Sequence, residues 1–427
     1  MRGRVLLLLL VALCPVPNAD ADGMLDPSFG NGGLVTTHFP YPPGPNGAGA
    51  SSLVVLPDGR AVAAGNTTPN LGGRYMAVAR YLPSGALDPS FGNGGLVIHM
   101  GGPFLSDAFA EEALLQPDGR LVLVGGFQSV QGRVFALLRL AANGGGDPSF
   151  GMGGVVNTPV PGGGTAVAGV LQPDGRIVAV GNPATGQSYL IAARYTDNGT
   201  LDPAFGSNGI AALPLPLSYV VRDVALQPDG KLVIAGIYGA NDFILVRLLP
   251  SGAPDPSFDG DGVVTTNFGG AESGYSVIVL PDGRIVLAGS HNGDFALVRY
   301  LTNGSVDTTF GNGGLATASS GVGELPDEVI LLPNGKLIVA GSTTDGNPDF
   351  HLARFHPSGT LDTSFGTAGF LRTDIGAFDE CHGVAIAGPD LILTAGSRQS
   401  GNPMPSVFAL ARYIATTPVE LLTFEVE

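Results

Sequence analysis

The chain has no tryptophan, and cysteine supplies only 2 of its 427 residues. Cys14 lies in the leader discussed below, so Cys381 would stand alone in a processed chain and no intrachain disulfide could form. Charge is also scarce, at 13% of residues, and unevenly divided: 20 Lys and Arg face 36 Asp and Glu, for a net charge of −16. A surface that negative repels phosphate backbones and anionic lipid heads, which excludes nucleic acid as a partner. No stretch of 11 or more residues carries helical periodicity. There is no Gly-x-Ser-x-Gly elbow, no His-Glu-x-x-His pair and no phosphate loop ending in Gly-Lys-Ser/Thr. The absence of tryptophan removes the usual carbohydrate platform, although tyrosines could take its place.

Apolar residues are plentiful by contrast, at 44%. The longest apolar run is near the N-terminus. Arg2 and Arg4 precede about ten apolar residues, and Ala19-Asp20-Ala21 follows as a small-residue cleavage site. Residues 1–21 therefore read as a secretory signal peptide, too short to span a bilayer. Leu13, a large residue, precedes Cys14, which departs from a lipoprotein signal. No later run is long enough to cross a membrane. The expected location is secreted, periplasmic or cell-surface.

Gly 67 and Pro 34 together approach a quarter of the chain. They fall at fixed offsets, so they punctuate turns. Asp-Pro-Ser-Phe-Gly and its variants begin at Asp26, Asp88, Asp147, Asp202, Asp255, Asp307 and Asp362, at intervals of 52 to 62 residues. Between them falls apolar-Pro-Asp-Gly, at Pro57, Pro117, Pro173, Pro228 and Pro281, with variants at Pro333 and Pro389. A third motif, an apolar run ending in arginine, has Arg80, Arg139, Arg194, Arg247, Arg299, Arg354 and Arg412. Three motifs in constant order, each present seven times, mark a repeat architecture.

One unit shows the local logic. Tyr275–Leu280 is β-branched and apolar, Pro281-Asp-Gly283 closes a hairpin, and Arg284–Ala288 returns, with Gly289 ending the strand. Phe295–Tyr300 and Gly314–Thr317 supply two more strands. A four-stranded sheet that is apolar on both faces is buried by radial packing, so the expected fold is an all-β, seven-bladed propeller with four antiparallel strands per blade. The last repeat lacks a fourth strand. Leu34–Thr37 should supply it and close the ring, so that loss of residues 24–37 would open it. Residues 22–414 then form the propeller and 415–427 a tail.

Leu25-Asp-Pro-Ser-Phe-Gly30, Leu53-Val-Val-Leu-Pro-Asp-Gly-Arg60 and Ala79-Arg-Tyr81 resemble the bacterial delta-60 repeat family over roughly residues 24–414. The resemblance implies secreted or surface proteins of unassigned biochemical role and carries over no catalytic residue.

Each motif arginine is expected to pair with the Asp of a neighbouring motif, since arginine in an apolar strand is seldom buried unpaired. The motif phenylalanine is expected to plug the core. Asp259 and Asp261, at alternate positions beside glycine, are candidate calcium ligands, although no EF-hand glutamate follows. His38, His99, His291, His351, His356 and His382 form no pair on one element. Cys381 and His382, as strand neighbours, point to opposite faces. Blade-to-blade connections and the second-to-third-strand loops vary in length and share one face, the usual place for a ligand. Glu111, Glu112, Asp223, Asp327, Glu328, Asp379 and Glu380 should approach the channel mouth there. The expected function is a monomeric, non-enzymatic binding or scaffold module with no required cofactor beyond a candidate calcium ion. Its partner would be a protein, a carbohydrate or a cationic ligand. The alternatives are a propeller hydrolase or lyase using the channel carboxylates, and a structural cell-surface protein.

Overall fold

A computed structural model describes residues 22–40, 47–68, 73–100, 107–129, 132–184, 189–215, 219–239, 241–399 and 405–415. The signal peptide expected at 1–21 and the tail from 416 onward lie outside the described residues. The described strands form seven antiparallel sheets in sequence order, each running outward from its first strand. The first strands of blades 1 to 7 are Gly47–Val55, Asp107–Leu115, Gly164–Leu171, Tyr219–Leu226, Glu272–Val279, Glu324–Leu331 and Phe378–Gly388. Each touches the first strand of the next blade, and the seventh touches the first, so the sheets stand around one axis.

The ring closes as the sequence implies. Leu34–Thr37 pairs with Ser406–Ile414 in the register Leu34↔Ala411 to Thr37↔Phe408, and Met24–Leu25 pairs with the same strand at Ile414 and Tyr413. The N-terminus thus provides the outer strand of blade 7.

The arginine motif holds neighbouring blades together. Arg80 Nε donates to Asp88 Oδ2 at 2.9 Å, while its guanidinium lies 4.4 Å from the Phe91 ring centroid and donates to the Ala142 carbonyl of blade 2. The same pairing joins Arg139 to Asp147, Arg194 to Asp202, Arg247 to Asp255, Arg299 to Asp307, Arg354 to Asp362 and, across the seam, Arg412 to Asp26. Six of these arginines also bond to a backbone carbonyl of the following blade, and Arg412 reaches Pro83 of blade 1. Each motif phenylalanine is buried beneath its arginine, from Phe29 to Phe365. The motif Asp caps its own turn as well: Asp88 Oδ1 accepts from Ser90 N–H at 3.0 Å and from Ser90 Oγ at 2.7 Å.

The structure corrects one detail. Gly289 does not end its strand, which continues to His291 opposite Glu272–Gly274. Its role is close approach, since a Cβ there would sit 2.1 Å from the Ser273 carbonyl oxygen. Gly65, Gly125, Gly181, Gly236, Gly341 and Gly396 face the first-strand carbonyl in the same way. Opposite each of them the first strand carries a β-bulge, which presses its backbone inward.

Candidate functional site

The bulges build the site. At each one an unpaired residue turns toward the axis: Ser51, Glu111, Val167, Arg222, Tyr275, Asp327 and His382. All seven line one cavity of about 470 Å³, together with Ser52, Glu112, Asp223, Ser276 and Glu328 from the following position. That volume falls within the range of small-molecule sites. Arg74, Asn66 and Asn182 complete the polar wall.

In four of the seven blades the position after the bulge carries a side chain that accepts a backbone N–H of the next blade. Ser52 Oγ accepts from Ala113 N–H at 3.1 Å, Asp223 Oδ2 from Val277 N–H at 2.8 Å, Ser276 Oγ from Val329 N–H at 3.3 Å, and Glu328 Oε2 from Val384 N–H at 2.6 Å. Ser52 Oγ also donates to Glu112 Oε1 at 3.0 Å, and Ser276 Oγ to Asp223 Oδ2 at 3.0 Å. These side chains tie the inner ring together and also furnish its chemistry.

Burial and mutual repulsion hold the acids back from ionising. Burial, followed by the charge of Asp223, pushes Glu112 up to about 8 against the bonds from Ser52 and Ala113. Burial and then Glu112 raise Glu328 well above the usual range. Burial takes Asp223 up to about 6, opposed by its three hydrogen bonds, and it also raises Glu111. His382 behaves in the opposite way. Burial would lower it, but Asp327 Oδ2 at 3.3 Å from Nδ1 and Glu380 Oε2 at 3.8 Å from Nε2 push it up to about 10. It therefore stays an imidazolium near neutrality. Arg74 is engaged twice by Asp107, at 2.9 Å each, and lies 4.4 Å from the Phe109 ring centroid. The Arg222 guanidinium lies 5.1 Å from the Tyr275 ring centroid.

Of the seven acids singled out from the sequence, Glu111, Glu112, Asp223, Asp327 and Glu328 line the cavity. Glu380 stands at its edge beside His382. Asp379 turns away into the loops, where Oδ2 accepts from Ile375 N–H at 2.5 Å and Gly376 N–H at 2.7 Å. Sequence reasoning missed Ser51, Ser52, Arg222, Tyr275, Ser276 and His382 as members of the channel. The available signal was a constant offset, six and five residues before the proline of the hairpin turn. Blade 7 breaks that count because it carries a second bulge between Ile386 and Gly388. Cys381 and His382 do face opposite ways, the thiol into the core between blades and the imidazole into the channel.

Asp259 and Asp261 sit in an exposed turn. Asp259 has φ of 53°, close to the 54° of its counterpart Gly30. Its N–H donates to the Asn303 carbonyl at 3.1 Å, and Asp261 Oδ1 accepts from Val263 N–H at 2.9 Å. Among the described residues, one group of three acidic side chains gathers its donor atoms within 4.8 Å, and it is elsewhere: Asp349, Asp374 and Asp379. No helix among the described residues is long and apolar enough to cross a membrane.

A family model described as a domain of unknown function (DUF5122) β-propeller matches residues 56–91, 116–150, 172–205, 227–258, 280–310 and 332–365. These six matches are consistent with the delta-60-like reading of the motifs, under a different family name. No curated protein matches. Among solved structures, a catalytically inactive virginiamycin B lyase from Staphylococcus aureus with quinupristin is 11% identical, with a TM-score of 0.50 over 88% of this chain and 99% of that one. A protein of unknown function from Dyadobacter fermentans is 12% identical, with a TM-score of 0.48 over 90% and 99%. An ulvan lyase bound to a sulfated disaccharide unit is 12% identical, with a TM-score of 0.47 over 93% and 95%. At such identities the likeness is one of fold.

Proposed function

For a chain built of DUF5122 β-propeller repeats, we propose a secreted, non-enzymatic binding module whose channel takes a small organic cation, such as a polyamine or another alkylammonium group. The observation that carries this reading is the convergence of Glu112, Asp223 and Glu328, from alternate blades, in one cavity where their charges oppose one another. The channel's own cations do not resolve that conflict. Arg74 is bound to Asp107 and His382 to Asp327, which leaves Arg222 among four acids. An ammonium group entering there would let the held protons leave and would be bound by the carboxylates that result.

A hydrolase or lyase working through the same carboxylates needs a general base as well as an acid. The one imidazole in the channel is clamped between two carboxylates in its protonated form and supplies no base, so that reading would fall to Asp223, raised to about 6, beside Glu112. Secretion to the periplasm, cell surface or medium rests on the leader sequence and is proposed with it. The acidic net charge of −16 suits a cationic ligand over long range.

Calorimetric titration with spermidine at pH 7, in EDTA, tests the reading. Saturable binding is expected, with an apparent enthalpy that changes between phosphate and Tris buffers because protons are released. Glu328→Gln and Asp223→Asn should each weaken binding at least tenfold. Absence of heat, or affinity unchanged in both variants, refutes the channel as a cation site.

A further inference from the structure

We propose that Asp349, Asp374 and Asp379 form a calcium site at the junction of blades 6 and 7, on the face of the variable loops and apart from the channel. Asp349 is the residue directly before the third strand of blade 6, Phe350–Phe355. Asp374 follows its fourth strand, Phe370–Thr373, and Asp379 opens blade 7. The backbone brings them together, since Asp379 N–H donates to the Pro348 carbonyl at 2.7 Å.

The division of each carboxylate points to a missing ligand. Asp349 is 3% exposed and Asp379 is 0% exposed. In both, the protein satisfies Oδ2. Arg372 Nε donates to Asp349 at 2.5 Å, and the Ile375 and Gly376 N–H groups donate to Asp379. In both, Oδ1 is buried without a hydrogen-bond partner. A buried carboxylate oxygen left empty is costly, and two of them gathered with a third, exposed carboxylate are costlier still. Arg372 also pairs with Asp345 at 2.8 Å, so its single charge is shared and the three carboxylates keep a negative excess that a divalent cation offsets.

The same strand position in the two preceding blades shares this division, since loop N–H groups hold Oε1 of Glu272 and of Glu324 and leave Oε2 buried without a partner, but there the carboxylate meets a histidine. Glu272 faces His291 Nδ1 at 3.0 Å, and Glu324 faces His351 Nε2 at 3.9 Å. Only in blade 7 does the position face two further carboxylates. A bound cation would relieve the crowding of three carboxylates whose donor atoms lie within 4.8 Å of one another. All-oxygen donors select a hard cation. The exposed side at Asp374 leaves room for the waters that complete the flexible shell of Ca²⁺.

Calcium titration of the EDTA-dialysed protein provides the test. One site per chain is expected, with a dissociation constant of about 0.1–1 mM, the range of extracellular calcium modules, and a rise in melting temperature in CaCl₂. Asp374→Asn, at an exposed position, should weaken binding at least tenfold without changing the fold. Asp379→Asn keeps an oxygen for the two backbone donors and places an amide in the site, so binding should be lost. The double variant Asp259→Asn/Asp261→Asn should bind as the parent does. The proposal is overturned if the parent gives no heat and no melting shift, if Asp374→Asn binds unchanged, or if the Asp259/Asp261 variant is the one that loses binding.

Discussion

Asp26→Asn tests whether the ring is held at its seam as firmly as within it. Asp26 Oδ2 accepts from Arg412 Nε at 2.8 Å, across 386 residues of chain. Both side chains are at most 10% exposed. Arg412 also bonds Ser28 Oγ at 3.0 Å and the Pro83 carbonyl at 2.5 Å, and lies 4.5 Å from the Phe29 ring centroid. Removing one partner of such a buried pair costs about 3–5 kcal/mol, because the other charge is left unanswered. For the roughly 360 described residues, with about 2.1 cal/mol/K of unfolding entropy each, that corresponds to a melting shift of about 4–7 °C. Asp255→Asn removes the equivalent contact to Arg247, where the partners are only eight residues apart in one blade. Asp255→Asn should shift melting at least as far, because Asp255 Oδ2 also meets Lys231 Nζ at 3.2 Å, whereas Asp26 pairs with Arg412 alone among the described residues. Hydrogen exchange should separate them. In Asp26→Asn the amides of Leu34–Thr37 should exchange faster, since the N-terminal strand can leave while six blades stay folded. Asp255 has no free end near it, so Asp255→Asn should leave those amides protected. Equal protection of Leu34–Thr37 in both variants, or a melting shift below about 1 °C for Asp26→Asn, would refute the view that this strand locks the ring.

Two further outcomes follow from the inner strands. Gly289→Ala should destabilise by about 2–4 kcal/mol in denaturant unfolding, because its Cβ meets the Ser273 carbonyl at 2.1 Å; Gly313→Ala, with φ of 65° and no atom within 4 Å, should cost only about 1 kcal/mol of backbone strain. Glu112→Gln should stabilise the protein in alkali and do little at pH 4: a carboxyl raised to about 8 when folded penalises folding increasingly as pH climbs from its unfolded value near 4 through 8, so a parent-minus-variant stability difference that stays flat from pH 4 to 9 would contradict the assignment.

The fold was legible in the sequence because its determinants are periodic. Arginine, aspartate and phenylalanine recur at constant spacing, and each set makes the same buried cluster, as at Arg80, Asp88 and Phe91. The missing fourth strand of the last repeat pointed to the closure that Leu34–Thr37 provides. The channel acids were legible only in part. Glu111, Glu112, Asp223, Asp327 and Glu328 stood out as charges in an otherwise apolar strand, whereas Arg222, Tyr275 and His382 share their position but not their chemistry. What unites these residues is a bulge, and its mark is a glycine on the opposite strand. Gly289 and its equivalents read as strand ends until the facing carbonyl is seen. In blade 7 the extra bulge between Ile386 and Gly388 shifts the count by one residue, which brings His382 into the channel and leaves Asp379 in the loops. The grouping of Asp349, Asp374 and Asp379 joins three separate segments and has no sequence period.

The bulge explains why a repeat so uniform can still carry a distinct site. Along most of each blade, residues are constrained on both faces: the second and third strands are buried between neighbouring sheets, and the arginine turns must meet the next blade. The two inner positions meet different demands. In four blades the residue after the bulge, a serine, aspartate or glutamate, accepts an N–H of the next blade, whereas Glu112 accepts from its own Ala113 and Ala168 and Gly383 have no side-chain acceptor. The bulged residue itself has no ladder partner and projects into the cavity. Its identity can therefore change from Val167 to Arg222 to His382 without disturbing the sheets. For the proposed binding function, the seven bulged side chains are thus the positions where specificity can vary, and the acids behind them set the charge that a ligand would balance.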